Sequence, residues 1–295
     1  MSVAAENMIS KFLPEDFDPT KGLTLIAGRG TYPILVAQNA RAAGVPVKLV
    51  AFKDETLPDL WDSFDEEDRR MIVVGQLGKM FKSIKTLGCG YTLMAGQIRP
   101  KKLFKGLKPD LKAITMLATL KVRNADTVFG GIVGEIQKMG IQQLDARAFI
   151  DSEMASQGLM TKTKIEADRD HIIHGIKTAK GIAEMEIGQA VVVSKGTTLA
   201  VEAFEGTDPM LRRVAAFEAN TMVFVKTVKK KQNYQFDVPC FGTKTIELLK
   251  EAKIKTVALE TDSTIIIEKE KTLKMAKKAG ISILGYSVDG DGYRF

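Results

Sequence analysis

The residues best suited to chemistry lie between Leu199 and Gly242. Glu202, Glu205, Asp208 and Asp237 are carboxylates that could bind a cation, and Arg212, Arg213, Lys226 and Lys229 could bind an anion. A site offering both is what hydrolysis of a phosphate ester or anhydride needs. Cations oppose the charge that grows on the phosphate oxygens, and a carboxylate can hold a metal or orient water. Leu199 to Phe204 reads as a strand that Gly206 breaks. Asp208 stands directly before Pro209, the pattern of an N-cap followed by proline at the first helical position. Glu205-Gly206-Thr207-Asp208 is therefore a strand-to-helix turn, and the free N–H groups of such a turn suit phosphate. Asp208 is either the helix cap or a ligand, and its spacing leaves both open. Asp237, ahead of Val238-Pro239, reads as extended. It could hold a divalent metal, accept a proton from water, or form a turn before the proline.

Elements before this region must help to position it. Leu23–Ala27 is a short apolar run ended by Gly28-Arg29-Gly30, with a helix from Tyr32 to Ala43 and a strand from Val45 to Phe52. This is a β–glycine turn–α–β unit without the third glycine of a dinucleotide fingerprint, so its turn fits a uridine or phosphate end better than a nicotinamide cofactor. Met71–Val74 leads into Gly75-Gln76, and Tyr91–Ala95 into Gly96-Gln97. Strand ends of an open parallel sheet line up along one edge, where ligands bind. Asp126–Met139 is helical by its apolar spacing in spite of three glycines. A longer helix from about Ala167 to Met185 carries His171 and His174, a zinc-like spacing with no third ligand nearby. Val191–Ser194 and Thr198–Phe204 form a hairpin about Lys195-Gly196. The run Lys229-Lys230-Lys231 reads either as a solvated face or as a contact for phosphate or anionic lipid.

Composition narrows the classes. A chain of 295 residues suffices for two domains. No apolar run is long enough for a membrane span, and no secretory signal pattern is present. Two distant cysteines, Cys89 and Cys240, suggest a reducing compartment without a disulfide framework. The net charge of +7 favours anionic partners. Aromatics are not interleaved with the basic residues, which argues against a platform for nucleic acid.

In several stretches the chain resembles the I-type UDP-2,3-diacylglucosamine pyrophosphatases of the lipid A pathway. The matching pieces are IAGRGTYP near the start, VGQLGKM at Val74–Met80, AGQIRP at Ala95–Pro100, GQAVVV at Gly188–Val193, AVEAFEGTD at Ala200–Asp208 and QFDVPCFGTKTIE at Gln235–Glu247. The likeness runs from roughly Leu23 to Ser287. Where the family's basic loop carries proline, aspartate and arginine, this chain has Lys230, Asn233 and Gln235. A family pair of aspartates before a mid-chain helix stands here as Ala125-Asp126.

The resemblance implies a magnesium-dependent hydrolase, cytoplasmic and peripheral to the inner membrane. It would split UDP-2,3-diacylglucosamine into 2,3-diacylglucosamine 1-phosphate and UMP. The matching positions make Asp237, Glu205 and Asp208 the catalytic candidates, with Asp237 and Glu202 for the metal. Substrate contacts would come from Gly28, Arg29 and Gly30, from Gly75 and Gln76, and from Gly96 and Gln97. Gln189, Gly206, Thr207, Arg213, Lys226, Lys229 and Gln232 complete that set. The expected fold is α/β: a loose extension over 1–20, a Rossmann-like domain over 21–150 and a catalytic α/β domain over 155–295, with substrate between the two. Met154, Met160 and Met210 are candidates for an acyl-chain groove. The reading allows a homodimer and involves no nucleic acid. The alternative is a non-catalytic binder of a nucleotide sugar or phospholipid.

Overall fold

The computed structural model describes residues 9–98, 109–122, 124–161, 163–290 and 292–295. The chain forms two compact units. The first takes in the chain up to Asp151 together with Asn233–Asp237, and the second comprises Ser152–Gln232 and Val238–Phe295.

In the first unit, β1 (Leu23–Ala27), β2 (Val47–Phe52), β3 (Arg69–Ile72), β4 (Tyr91–Ala95) and β5 (Gln142–Gln143) build a parallel sheet in the order β3-β2-β1-β4-β5. Strand order reverses beside β1, as in a Rossmann-like fold, and the ends of β1 and β4 meet at that switch point. All five residues of β1 are buried. A strand covered on both faces reads as a continuous apolar run, which is why Leu23–Ala27 shows no alternation. The helices are α1 (Tyr32–Ala42), α2 (Pro58–Asp62), α3 (Leu77–Leu87), α4 (Leu111–Thr119) and α5 (Ala125–Lys138). Met80, Phe81, Ile84 and Leu87 of α3 pack with Ile132 and Ile136 of α5 over Ile26, Val50 and Ile72. Gly88, at φ 72°, ends α3 in the left-handed conformation open to glycine. Arg99 and Pro100, the end of one matching motif, lie outside the described residues.

The extension is not loose over the part described, residues 9–20. The backbone N–H of Asp18 donates to the Tyr91 hydroxyl at 2.9 Å, and that of Lys11 donates to Asp151 Oδ1 at 2.9 Å. Phe17 packs against the rings of Tyr91 and Phe149. Aromatic anchors at Phe12 and Phe17, which the sequence shows only as scattered phenylalanines, tie this segment down.

In the second unit, β7 (Ala190–Ser194), β8 (Thr197–Val201), β9 (Met222–Lys226), β11 (Thr256–Glu260) and β13 (Ser282–Asp289) run in the order β8-β7-β9-β11-β13. β6 (Gly158–Leu159) and β14 (Gly292–Arg294) pair antiparallel with β13. β9, β11 and β13 are mutually parallel, and β7 is antiparallel to both β8 and β9. A small parallel pair, β10 (Cys240–Phe241) and β12 (Ile265–Ile266), lies apart from this sheet. Ile172, Ile176 and Ala179 of α6 (Arg169–Glu184) cover one sheet face. The other face carries the apolar residues of α7 (Thr207–Val214), α8 (Thr243–Glu251) and α9 (Lys269–Lys278). Lys195 and Gly196, at φ 46° and 79°, make the two-residue hairpin turn with both centres left-handed.

Met210 is wholly buried, Met154 nearly so, and Met160 packs against the same core as Met210. Met154 and Met210 are core filling rather than the lining of an acyl groove, while Met160 is only partly buried. Neither Cys89 nor Cys240 is in a disulfide. Among the described residues no helix is long and apolar enough to cross a membrane.

Candidate active site

β9 ends at Lys226, a residue with a relative exposure of only 7%. Its Nζ donates to Thr207 Oγ1 at 2.9 Å, and Thr207 donates onward to Glu202 Oε1 at 2.7 Å. The other oxygen of Glu202 accepts the backbone N–H of Gln189 at 3.4 Å. Four residues picked out from the sequence, Gln189, Glu202, Thr207 and Lys226, therefore stand in one hydrogen-bonded row. No carboxylate lies within 4 Å of the Lys226 ammonium among the described residues, so its partner is a neutral hydroxyl. Thr207 is the first residue of α7. Gly206, at φ 82°, is its N-cap and offers no side chain. A buried cation, a hydroxyl and the open N–H groups of a helix start are the parts of a phosphate site.

The cap differs from the sequence expectation. Because Gly206 turns the chain, α7 begins at Thr207, and Asp208 lies inside the first turn instead of capping it. Its carboxylate pairs with Lys244. The strand before the turn also stops early, at Val201, and Phe204 is left 89% exposed. Glu205 Oε1 is 2.8 Å from Arg213 Nη2, a pair open to solvent. Lys229 pairs with Glu186 at 3.1 Å. Gln232 is half-buried. The expected catalytic carboxylates Glu205 and Asp208 thus each hold a cation from the protein itself.

One residue beyond Lys226, a different cluster forms. Glu260, at the end of β11, lies 2.8 Å from Lys180 Nζ through both oxygens and accepts from the Thr227 hydroxyl at 2.5 Å and the Val228 N–H at 3.1 Å. Burial, with Glu260 alongside, pushes the Tyr286 hydroxyl well above its ordinary range. Every charge in this cluster has an opposite partner, so it fastens α6 to the strand ends.

Asp237 belongs to the short segment that groups with the first unit, although the sequence assigns it to the second domain. Its N–H bonds to the Asn233 carbonyl at 3.2 Å, so it closes the turn over Tyr234–Phe236. The Asn233 side chain accepts the Gln235 N–H at 3.1 Å, an Asx-type turn that aspartate would also make. Gln235 and Gln143 exchange hydrogen bonds, each side-chain amide donating to the other's carbonyl at 3.3 and 3.0 Å. Phe236 stacks on Phe129 of α5.

The glycine turns of the first unit have a reason that sequence reading missed. Arg29 and Gln97 bridge backbone to backbone at 2.8 and 3.2 Å. A Cβ on Gly28 would fall 2.6 Å from the Gln97 carbonyl, and one on Gly96 would fall 2.7 Å from that of Arg29. These two glycines let the turns after β1 and β4 pack on each other. Arg29, Gly30 and Gln97 remain exposed at the sheet edge, and α1 starts without a side-chain cap. The third turn is already filled. Asp110 Oδ2 accepts the N–H groups of Gly78 and Lys79 at the start of α3, and Gln76 Oε1 faces its own turn through the Val73 N–H.

Among the described residues no three His, Cys, Asp or Glu side chains gather into a metal-binding group. Each Glu202 oxygen accepts one donor, the Thr207 hydroxyl or the Gln189 N–H, and keeps a further lone pair. Magnesium needs no protein cage, because one carboxylate with phosphate and water oxygens suffices. The histidine pair is structural at His171, whose Nε2 accepts the Lys195 N–H at 2.9 Å, and burial lowers its pKa.

Residues 22–152 match the family described as the LpxI N-terminal domain, and residues 156–284 match the LpxI C-terminal domain. The chain belongs to the LpxI family. A relative from Caulobacter vibrioides, named UDP-2,3-diacylglucosamine pyrophosphatase LpxI, is 29% identical over 276 residues, which take in 89% of this chain and 96% of the relative. The two LpxI matches meet within a few residues of Ser152, where the second unit begins. The Lys226–Thr207–Glu202 row lies wholly in the LpxI C-terminal match, as does Asp237 in spite of its grouping with the first unit.

Proposed function

We propose that this chain hydrolyses the diphosphate of UDP-2,3-diacylglucosamine, the activity named for the Caulobacter relative, and releases UMP and 2,3-diacylglucosamine 1-phosphate. The observation that carries this is the buried ammonium of Lys226, directed at Thr207 on the first residue of α7. In this reading Lys226 and the first N–H groups of α7 bind phosphate oxygens. Glu202 fixes Thr207 with its hydrogen toward the carboxylate, so the hydroxyl oxygen faces Lys226. The cation then opposes charge as it grows on the leaving phosphate. Asp237 orients the attacking water and would contribute one carboxylate oxygen to magnesium, the rest coming from diphosphate and water. When bound, the ion would supply charge neutralisation at the diphosphate. Arg29, Gly30 and Gln97 suit the nucleotide end. The +7 net charge accords with work at an anionic inner-membrane surface on the cytoplasmic side.

The test is UMP release in magnesium from the diacylated substrate and from UDP-N-acetylglucosamine under the same conditions. Strong preference for the acylated compound is expected. Equal hydrolysis of both would remove the lipid from the reading, and binding without UMP release would leave the chain a binder.

A further inference from the structure

Residues 233–238 form a loop with no buried member; all are half-buried. Such a loop has no core of its own to fix it, and contacts from its surroundings help to hold it. Several of them fall on the three residues just before Asp237. The guanidinium of Arg147 lies over the Tyr234 ring at 3.5 Å from its centroid and over the Phe12 ring at 4.4 Å. Asp145 holds that guanidinium in plane, with Nε to Oδ1 at 3.0 Å and Nη2 to Oδ2 at 2.6 Å. The Ala146 N–H donates to the Tyr234 carbonyl at 2.7 Å. Gln143, itself held by the Thr92 hydroxyl at 2.7 Å, exchanges amide bonds with Gln235. An open cleft of about 490 Å³ runs alongside, lined by Arg147, Tyr234 and Gln235 among others, so close packing does not replace these contacts.

We propose that Arg147, acting through Tyr234, is a positioning residue for the Asp237 carboxylate. A planar guanidinium fits because it is locked on one edge by a carboxylate while both its faces stay open to rings. It clamps the loop three residues before Asp237. Gln143 fixes the next residue and Phe129 the one after. The inference rests on the role given to Asp237 above. Displacement of a reacting group by about 1 Å can cost about 10²-fold in rate. Loss of the clamp should therefore appear in kcat while substrate binding survives.

The experiment measures kcat and KM for UMP release, with thermal melts, for wild type, Asp237→Asn, Arg147→Ala, Tyr234→Ala and Tyr234→Phe. The expected result is a fall in kcat of about 10²-fold for both Arg147→Ala and Tyr234→Ala. KM should stay near that of wild type, and Tyr234→Phe, which keeps the ring, should recover most of the loss. Tyr234→Ala leaves the Arg147–Asp145 pair intact and decides the matter if Arg147→Ala does not fold. A collapse of turnover in Asp237→Asn with unaltered kcat in Tyr234→Ala overturns the positioning alone. Turnover that persists in Asp237→Asn overturns the positioning together with the role of Asp237.

Discussion

Replacing Lys226 by methionine separates the two things a buried ammonium does. Methionine keeps most of the side-chain volume and leaves no large cavity. At about 4 Å and an effective dielectric near 20, one ammonium and one phosphate charge interact by about 4 kcal/mol. At about 1.4 kcal/mol per decade, that is roughly three decades in rate if all of it were specific to the transition state. The diphosphate is already anionic when it binds, so only the growth of charge counts, and a fall of about 10²–10³ in kcat is expected. Stability should move the other way. Lys226 is buried against a hydroxyl with no carboxylate partner among the described residues, and exchange of buried ionic groups for apolar ones of similar volume is neutral or stabilising by about 1–4 kcal/mol. Lys226→Met should thus lose UMP release and keep or raise its Tm. Unchanged kcat/KM would refute the phosphate assignment. A parallel fall in Tm would make Lys226 a structural residue.

Three further outcomes follow from particular contacts. The ammoniums of Lys112 and Lys138 lower Glu135 from 4.5 to about 2, so this pairing stabilises fully above the unfolded value and is lost as pH falls through the folded one. Glu135→Gln should remove that part of the acid sensitivity in urea melts between pH ~5 and ~2, a change below about 1 kcal/mol because the group is near the surface. Glu260→Ala strands the Lys180 ammonium and two other donors and should cost about 3–5 kcal/mol by guanidinium denaturation; a smaller loss would mean that water replaces the carboxylate. Gly28→Ala sets a methyl against the Gln97 carbonyl; an expected loss of about 1–3 kcal/mol should be visible in thermal melts, and a neutral result would show that the two turns can separate.

The elements fixed by local pattern were legible. β4 occupies Tyr91–Ala95 as expected, α5 spans the predicted helix despite Gly130, Gly131 and Gly134, and the Lys195-Gly196 hairpin is where turn chemistry puts it. The α/β class and the Rossmann-like first sheet follow from the same signals. What escaped depends on partners distant in sequence. Gln143 and Gln235 are 92 residues apart, and nothing local marks either as half of a pair. Asp110, directly after Pro109, looks like a loop residue, yet its carboxylate serves α3 and α4 together. α7 starts two residues before the point that Asp208-Pro209 suggests, because Gly206 makes the turn and the N-cap. Glu205 and Asp208 looked catalytic by type, and only their contacts with Arg213 and Lys244 show them engaged.

The segment Asn233–Asp237 has a consequence for the order in which this protein becomes complete. The first unit needs residues that leave the ribosome more than eighty positions after Asp151. At about 5–20 residues per second that delay is on the order of ten seconds. During it the ring of Phe129, the amide of Gln143 and the face of Arg147 await a loop not yet made. A nascent chain stopped shortly after Asp151 would have its parallel sheet but an unfinished edge beside β5. The usual expectation that an N-terminal unit is finished before its successor emerges therefore fails here. A chaperone that shields apolar surface would find this edge open throughout that interval.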